Sequence, residues 1–233
     1  MTASFPWYDL PSVRWANDLL WQAMEVPGEL DRETPLHEQW RARDLVISQM
    51  CGLDLFLIDA PVEPVLAPVF DIDCEPGYYY SYLIGSPRGR VAAVNSLTSR
   101  SGLSALLTIC EPESLALTGS HTASLAAVRS GRADVACIDA VIWHILERDA
   151  PERIGGIAVV ERTPIAPAPP YVVRKSGPRE RITSLLEAAL ADSATLRARQ
   201  ALLLQGVERV TLADYRLVLS EYQSVAGRLP RVR

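Results

Sequence analysis

The run NSLTSRSG, residues 95–102, sets Asn95, Ser96, Thr98, Ser99 and Ser101 before a single glycine, Gly102, and then passes into the apolar helical spacing of LSALL. Hydroxyls and a side-chain amide ahead of a helix are residue types that hold an oxyanion. The first N–H groups of a helix lack partners within it, and the helix dipole puts partial positive charge there. LTGSHTAS, residues 117–124, repeats the pattern with Ser120, His121 and Thr122. LVISQMCG, residues 45–52, leaves Ser48 and Gln49 at the end of an apolar run. Arg100 would add a planar guanidinium fork suited to phosphate, and His121 has an intrinsic pKa near neutrality. Taken singly, each junction is also what an ordinary N-cap looks like, worth about 1 kcal/mol to its helix without any ligand. Three of them in one small chain point to an anion.

Other chemistries find less support. Cys51, Cys74, Cys110 and Cys137 are far apart, with no CxxC pair and no histidine at zinc spacing, so no metal site is expected and the thiols are read as small, mostly buried residues. There is no GxSxG elbow, HExxH pair or Walker lysine. Cys51 with His121 as base is formally a nucleophile pair, without a recognisable signature. His37 and His144 fall in helical patterns and are read as structural or surface residues. Trp7 and Tyr8 of WYDLP divide between a binding wall and the core. Tyr78, Tyr79, Tyr80 and Tyr82 alternate along an extended stretch, Tyr79 being the one assigned to the site.

Positioning such groups takes a scaffold of strands that end at helix starts. Apolar runs of strand length (LVIS 45–48, VEPVLAPVF 62–70, RVAAVN 90–95, DVACID 134–139, GIAVVE 156–161) alternate with helical spacing at 122–131 and 139–149. That rhythm predicts an α/β fold with mixed, mostly parallel sheets. Gly131 and Gly206 are placed as helix stops. DIDCEPG (71–77) and TPIAPAPP (163–170) are turn-rich and read as crossings between lobes. The division expected is 1–78 plus 163–233 for a discontinuous first lobe and 79–162 for an inserted second lobe, with a ligand cleft between them.

The 233 residues are 48% hydrophobic and 22% charged, an ordinary globular composition. A net charge of -5 speaks against a nucleic-acid partner. No apolar run reaches the roughly 20 residues of a membrane span, and MTASFPWYDLPSVRW lacks the basic and apolar regions of an export signal.

The order NSLTSRSG, then GSHTASLAAVRSGRADVACID, then a Pro-rich return resembles the phosphonate/phosphite-binding (PhnD-like) substrate-binding proteins of ABC transporters, which have the type II periplasmic-binding fold. The resemblance covers most of the chain. It implies two α/β lobes around a cleft, a small anionic ligand of phosphonate or phosphate type, ABC-transporter membrane subunits as partners, no cofactor and a periplasmic setting. It implies that Ser99, Ser101 and Gly102 hold the anion with His121, and that Tyr8 lies in the cleft. Val141 stands where some phosphonate binders carry an acidic residue for an aminoalkyl group, with Asp139 as the substitute. Alternatives remain: a cofactor-independent enzyme of the menaquinone-biosynthesis type, acting on a carboxylate in the same fold, or a cytosolic ligand sensor, which the missing export signal also fits.

Overall fold

A computed structural model describes residues 1–233. In chain order, β1 (Thr2–Ala3) leads to α1 (Arg14–Ala23), α2 (Leu36–Gln39), β2 (Leu45–Gln49), α3 (Asp54–Leu57) and the nine-residue β3 (Val62–Phe70). Then come β4 (Tyr78–Tyr79), β5 (Ser81–Gly85), β6 (Val91–Val94), a π-helical turn at Arg100–Ser104 that runs into α4 (Ala105–Ile109), and β7 (Ser114–Leu117). They are followed by α5 (His121–Arg129), β8 (Val135–Asp139), α6 (Ala140–Asp149) and β9 (Val159–Arg162). The last part holds β10 (Ala166–Pro167), β11 (Tyr171–Arg174), α7 (Arg179–Ala191), α8 (Leu196–Ala201), β12 (Leu204–Arg209), α9 (Arg216–Ala226) and β13 (Arg231–Val232).

The chain divides into two compact units, Met1–Tyr78 with Pro167–Tyr215, and Tyr79–Ala166 with Arg216–Arg233. In unit 1 a five-stranded sheet runs β1-β2-β11-β3-β12. Its β1–β2 pair is parallel and the other three are antiparallel. Pro64 and Pro68 interrupt β3, which strands normally tolerate only where a ladder is open. Here β11 pairs with Val62–Leu66 and β12 with Leu66–Phe70, so the two partners divide β3 between them and neither half needs a donor on both flanks. Trp40, Leu45, Met50, Val62 and Val172 form a buried cluster in this unit.

Unit 2 holds a six-stranded sheet, β13-β7-β6-β8-β5-β9. Its centre is parallel and its β8–β5–β9 flank antiparallel, so both sheets are mixed, with antiparallel pairing prevailing in unit 1. β8 reads VACID with every residue buried, the continuous run of a strand covered on both faces. Leu83, Ala92, Val94, Leu103, Leu106, Leu115, Val135 and Val225 pack together here, each Leu or Val worth about 1.5–3 kcal/mol by burial.

Two expectations need correction. The sequence reading places residues 163–233 wholly in the first lobe, whereas α9 and β13 belong to unit 2. β13 adds in parallel to β7, and Val218 and Val225 of α9 are buried. The helix stop expected at Gly206 falls earlier: α8 ends at Ala201 and Leu203 takes the left-handed φ of 55°, while Gly206 lies inside β12 at a register shift. Gly131 does follow α5, with φ 70° and its N–H donating to the Val128 carbonyl. None of the four cysteines is in a disulfide, no helix is long and apolar enough to cross a membrane, and no cluster of metal-ligating side chains is present.

Candidate functional site

In unit 2, parallel strands β6 and β7 end beside each other, and each hands over to a helix start. Thr118 ties the two junctions together: its Oγ1 donates to the Val94 carbonyl at 3.0 Å and lies 2.6 Å from Ser124 Oγ of α5. Gly119, at φ 85°, turns the chain into α5.

After β6, Ser99 is the N-cap of the π-helical turn, and its Oγ accepts from the Gly102 N–H at 2.9 Å. Gly102 is required here because a Cβ would stand 1.9 Å from Asn95 Oδ1 and 3.1 Å from Ser99 Oγ. That Asn95 Oδ1 is buried without a protein donor. Ser96 Oγ accepts from the Thr98 N–H and shapes the approach to the turn. Ser99 Oγ and Ser101 Oγ are 3.5 Å apart.

At the second junction Ser120 caps α5, accepting from the Ala123 N–H at 3.1 Å, with Thr122 Oγ1 also 3.1 Å away. His121 then reaches the first junction, its Nε2 2.9 Å from Ser101 Oγ. Its Nδ1 is 3.2 Å from the Cys137 carbonyl of β8. Burial of the ring outweighs that carbonyl and pushes the His121 pKa down to about 4, so the imidazole is neutral at physiological pH. The backbone N–H groups of Ser101, His121 and Thr122 have no acceptor in the protein. Neutral donors thus converge from two helix starts, which is the chemistry of a tetrahedral oxyanion site.

Three further residues expected at this site do other work. Arg100 is buried, and its fork is taken by Glu221, with Nε to Oε1 at 3.0 Å and Nη2 to Oε2 at 2.8 Å. Nη2 also donates to the Pro164 carbonyl at 2.8 Å. Tyr79, 1% exposed, lies with its ring 5.7 Å from that guanidinium and packs beneath the turn. Asp139 is the N-cap of α6, its Oδ1 accepting from the N–H of fully buried Val141 at 2.8 Å.

In unit 1 the expected residues are interior. Ser48 is fully buried, with its Oγ 2.8 Å from Ser4 Oγ and accepting from Trp40 Nε1. Gln49 Oε1 accepts from the Trp7 N–H at 3.2 Å. Tyr8 is 4% exposed and stacks edge-on with Phe70. The end of β2 is covered by residues 4–8 and Trp40, so its polar side chains are spent on holding that covering segment. Cys51 belongs to unit 1, whereas the His121 ring is engaged by Ser101 and Cys137 within unit 2. Of the remaining histidines, His144 bridges Tyr82 Oη and Glu147, and His37 is exposed beside Glu38.

Sequence reasoning missed Glu221, the Cys137 carbonyl and Thr118. None carries a local signal, because each acts on a partner brought near only by the sheet or by α9.

The fold is shared with solved structures of low sequence identity. PhnD1 from Prochlorococcus marinus, solved with methylphosphonate, is 14% identical with a TM-score of 0.72 over 92% of each chain. A binding-protein component of an ABC phosphonate transporter from Pseudomonas aeruginosa, also 14% identical, gives 0.74 over 97% of this chain and 88% of that one. A Xanthomonas citri protein bound to ATP gives 0.69 at 14% identity over 98% of both. No curated protein matches the chain by sequence. Residues 86–216, more than half of the chain, match the family described as "ABC transporter, phosphonate, periplasmic substrate-binding protein". The chain belongs to that family, whose members are periplasmic substrate-binding components of phosphonate transporters.

Proposed function

We propose that this chain binds a small phosphonate-type oxyanion through Ser99, Ser101, His121 and the open N–H groups of the two helix starts in unit 2, with Gly102 leaving room for the turn. It delivers that ligand, chemically unchanged, to the membrane subunits of an ABC transporter, and it works in the periplasm. The observation that carries this reading is the 2.9 Å contact between Ser101 and His121, which joins two helix starts around one point. The family match and the methylphosphonate bound to PhnD1 support the ligand class. A binding role rather than an enzymatic one is supported by the histidine, whose low pKa makes it a poor general base near neutral pH.

The test is calorimetric titration of the purified protein with methylphosphonate, inorganic phosphate, ATP and benzoate, followed by recovery of the ligand. Tight binding of the phosphorus oxyanions with intact recovery supports the proposal. Binding of benzoate alone, or its conversion, would move the chain to the enzyme reading.

A further inference from the structure

His121 sits between two partners that fix where its proton lies. Its Nδ1 is 3.2 Å from the Cys137 carbonyl, an oxygen that can only accept. The competing donor, the Asp139 N–H, is 3.5 Å from the same nitrogen, at the outer limit of a hydrogen bond. The proton therefore resides on Nδ1, and Nε2 is a bare acceptor. Ser101 at 2.9 Å must then donate its hydroxyl proton to Nε2. With that single proton committed, Ser101 Oγ has only lone pairs left to offer a ligand. Asn95 Oδ1, buried and without a protein donor, is a second acceptor beside Gly102. Opposed to these are the N–H groups of Ser101, His121 and Thr122, which can only donate, and the Ser99 hydroxyl, whose oxygen accepts from the Gly102 N–H and whose proton is left to donate.

We propose that this site selects the singly protonated form of its oxyanion: the donors take the charged oxygens, and Ser101 accepts the hydroxyl proton of a P–OH group. The proposal rests on the phosphonate reading above and adds the protonation state and the rejected ligands. A tetrahedral anion without a hydroxyl, such as a sulfonate or sulfate, would set its oxygen lone pairs against those of Ser101. A site built to bond a ligand OH rejects the analogue lacking it by large factors, because its own polar group is then left unpaired.

The pH dependence that follows belongs to the ligand. His121 stays neutral well below neutrality, with burial and the Cys137 carbonyl as the influences on it. The ionisable groups on the elements around it are the Cys137 thiol, which burial pushes well up, Asp139 at the start of α6, and Arg100 held by Glu221.

Titrations of methylphosphonate and of methanesulfonate from pH 5.5 to 8.5 test this. Affinity for methylphosphonate should fall by a factor approaching about tenfold per pH unit above its second ionisation, which lies higher than the value of about 6 for a phosphate ester because carbon withdraws less charge from phosphorus than oxygen does. Methanesulfonate should bind at least about 100-fold more weakly at pH 5.5. Methylphosphonate affinity that is flat or rises with pH, or methanesulfonate within tenfold of it, overturns the inference and leaves the phosphonate reading standing. No binding of methylphosphonate at any pH overturns both. As a second readout, nitrogen NMR of labelled histidine, assigned by the signal lost in His121→Gln, should show Nδ1 protonated and Nε2 bare. The opposite tautomer would also sink the proposal.

Discussion

Arg100 and Glu221, 121 residues apart, form a two-pronged ion pair in which the arginine is 1% and the glutamate 15% exposed. The pair clamps the π-helical turn between Ser99 and Ser101 to α9. It also occupies the guanidinium next to Ser99 and Ser101, so the donors left at the candidate site are uncharged.

Removing one partner of such a pair strands the other charge in the interior. Glu221→Ala should cost about 3–5 kcal/mol in urea unfolding, whereas Arg100→Met with Glu221→Leu should return close to wild-type stability. Equal losses in the single and the double variant would show that the ion pair is not what holds the turn.

Gly102→Ala would drive a methyl group into Asn95 Oδ1. The turn must shift, with a stability loss of about 1–3 kcal/mol and a fall of at least about tenfold in methylphosphonate affinity by calorimetry, since a displacement of about 1 Å is enough to break converging hydrogen bonds. Wild-type affinity in this variant would take the turn out of the site.

Ser101→Ala combined with His121→Ala removes the contact that joins the two helix starts. Affinity for methylphosphonate should drop at least about 100-fold, since a hydrogen bond to a charged group is worth about 1.5–3 kcal/mol, while the circular dichroism spectrum stays that of the native fold. A double variant that binds like the parent would remove the basis of the binding proposal.

His121 makes stability depend on acid. Its pKa is about 4 when folded against 6.5 unperturbed, so between those values the unfolded chain binds more protons than the folded one. Stability is therefore undiminished above about pH 6.5 and declines as pH falls toward 4, at up to roughly 1.4 kcal/mol per unit. Urea unfolding of wild type and His121→Gln across this window should show the difference in slope. Parallel profiles would mean that the ring is not desolvated in the folded protein.

Asp139 separates a cap from a ligand contact. Asp139→Ala should lower stability by about 1 kcal/mol through the lost bond to the Val141 N–H and leave methylphosphonate affinity within about twofold. A loss of affinity without a loss of stability would return Asp139 to the site.

The strands were legible because burial on both faces writes a continuous apolar run, as in DVACID and LVIS. The helix starts were legible because capping uses few residue types. What could not be read is which way a polar residue faces. Ser48 ends an apolar run whether it meets a ligand or Ser4, and only the parallel β1–β2 pairing brings Ser4 there. Arg100 looks like a phosphate fork until α9 supplies Glu221. Leu203 ends a helix in a conformation normally left to glycine, so a reading that looks for glycine places the stop three residues late, at Gly206.

Unit 2 is assembled from two stretches of chain, Tyr79–Ala166 and Arg216–Arg233, with part of unit 1 between them in sequence. Strand β7 waits for β13, and the turn that carries Ser99 and Ser101 waits for α9. Without residues 216–233 the unit would lose the carboxylate that meets its buried arginine. A chain cut at Tyr215 would therefore keep most of its core residues while the turn between Ser99 and Ser101 lost its anchor.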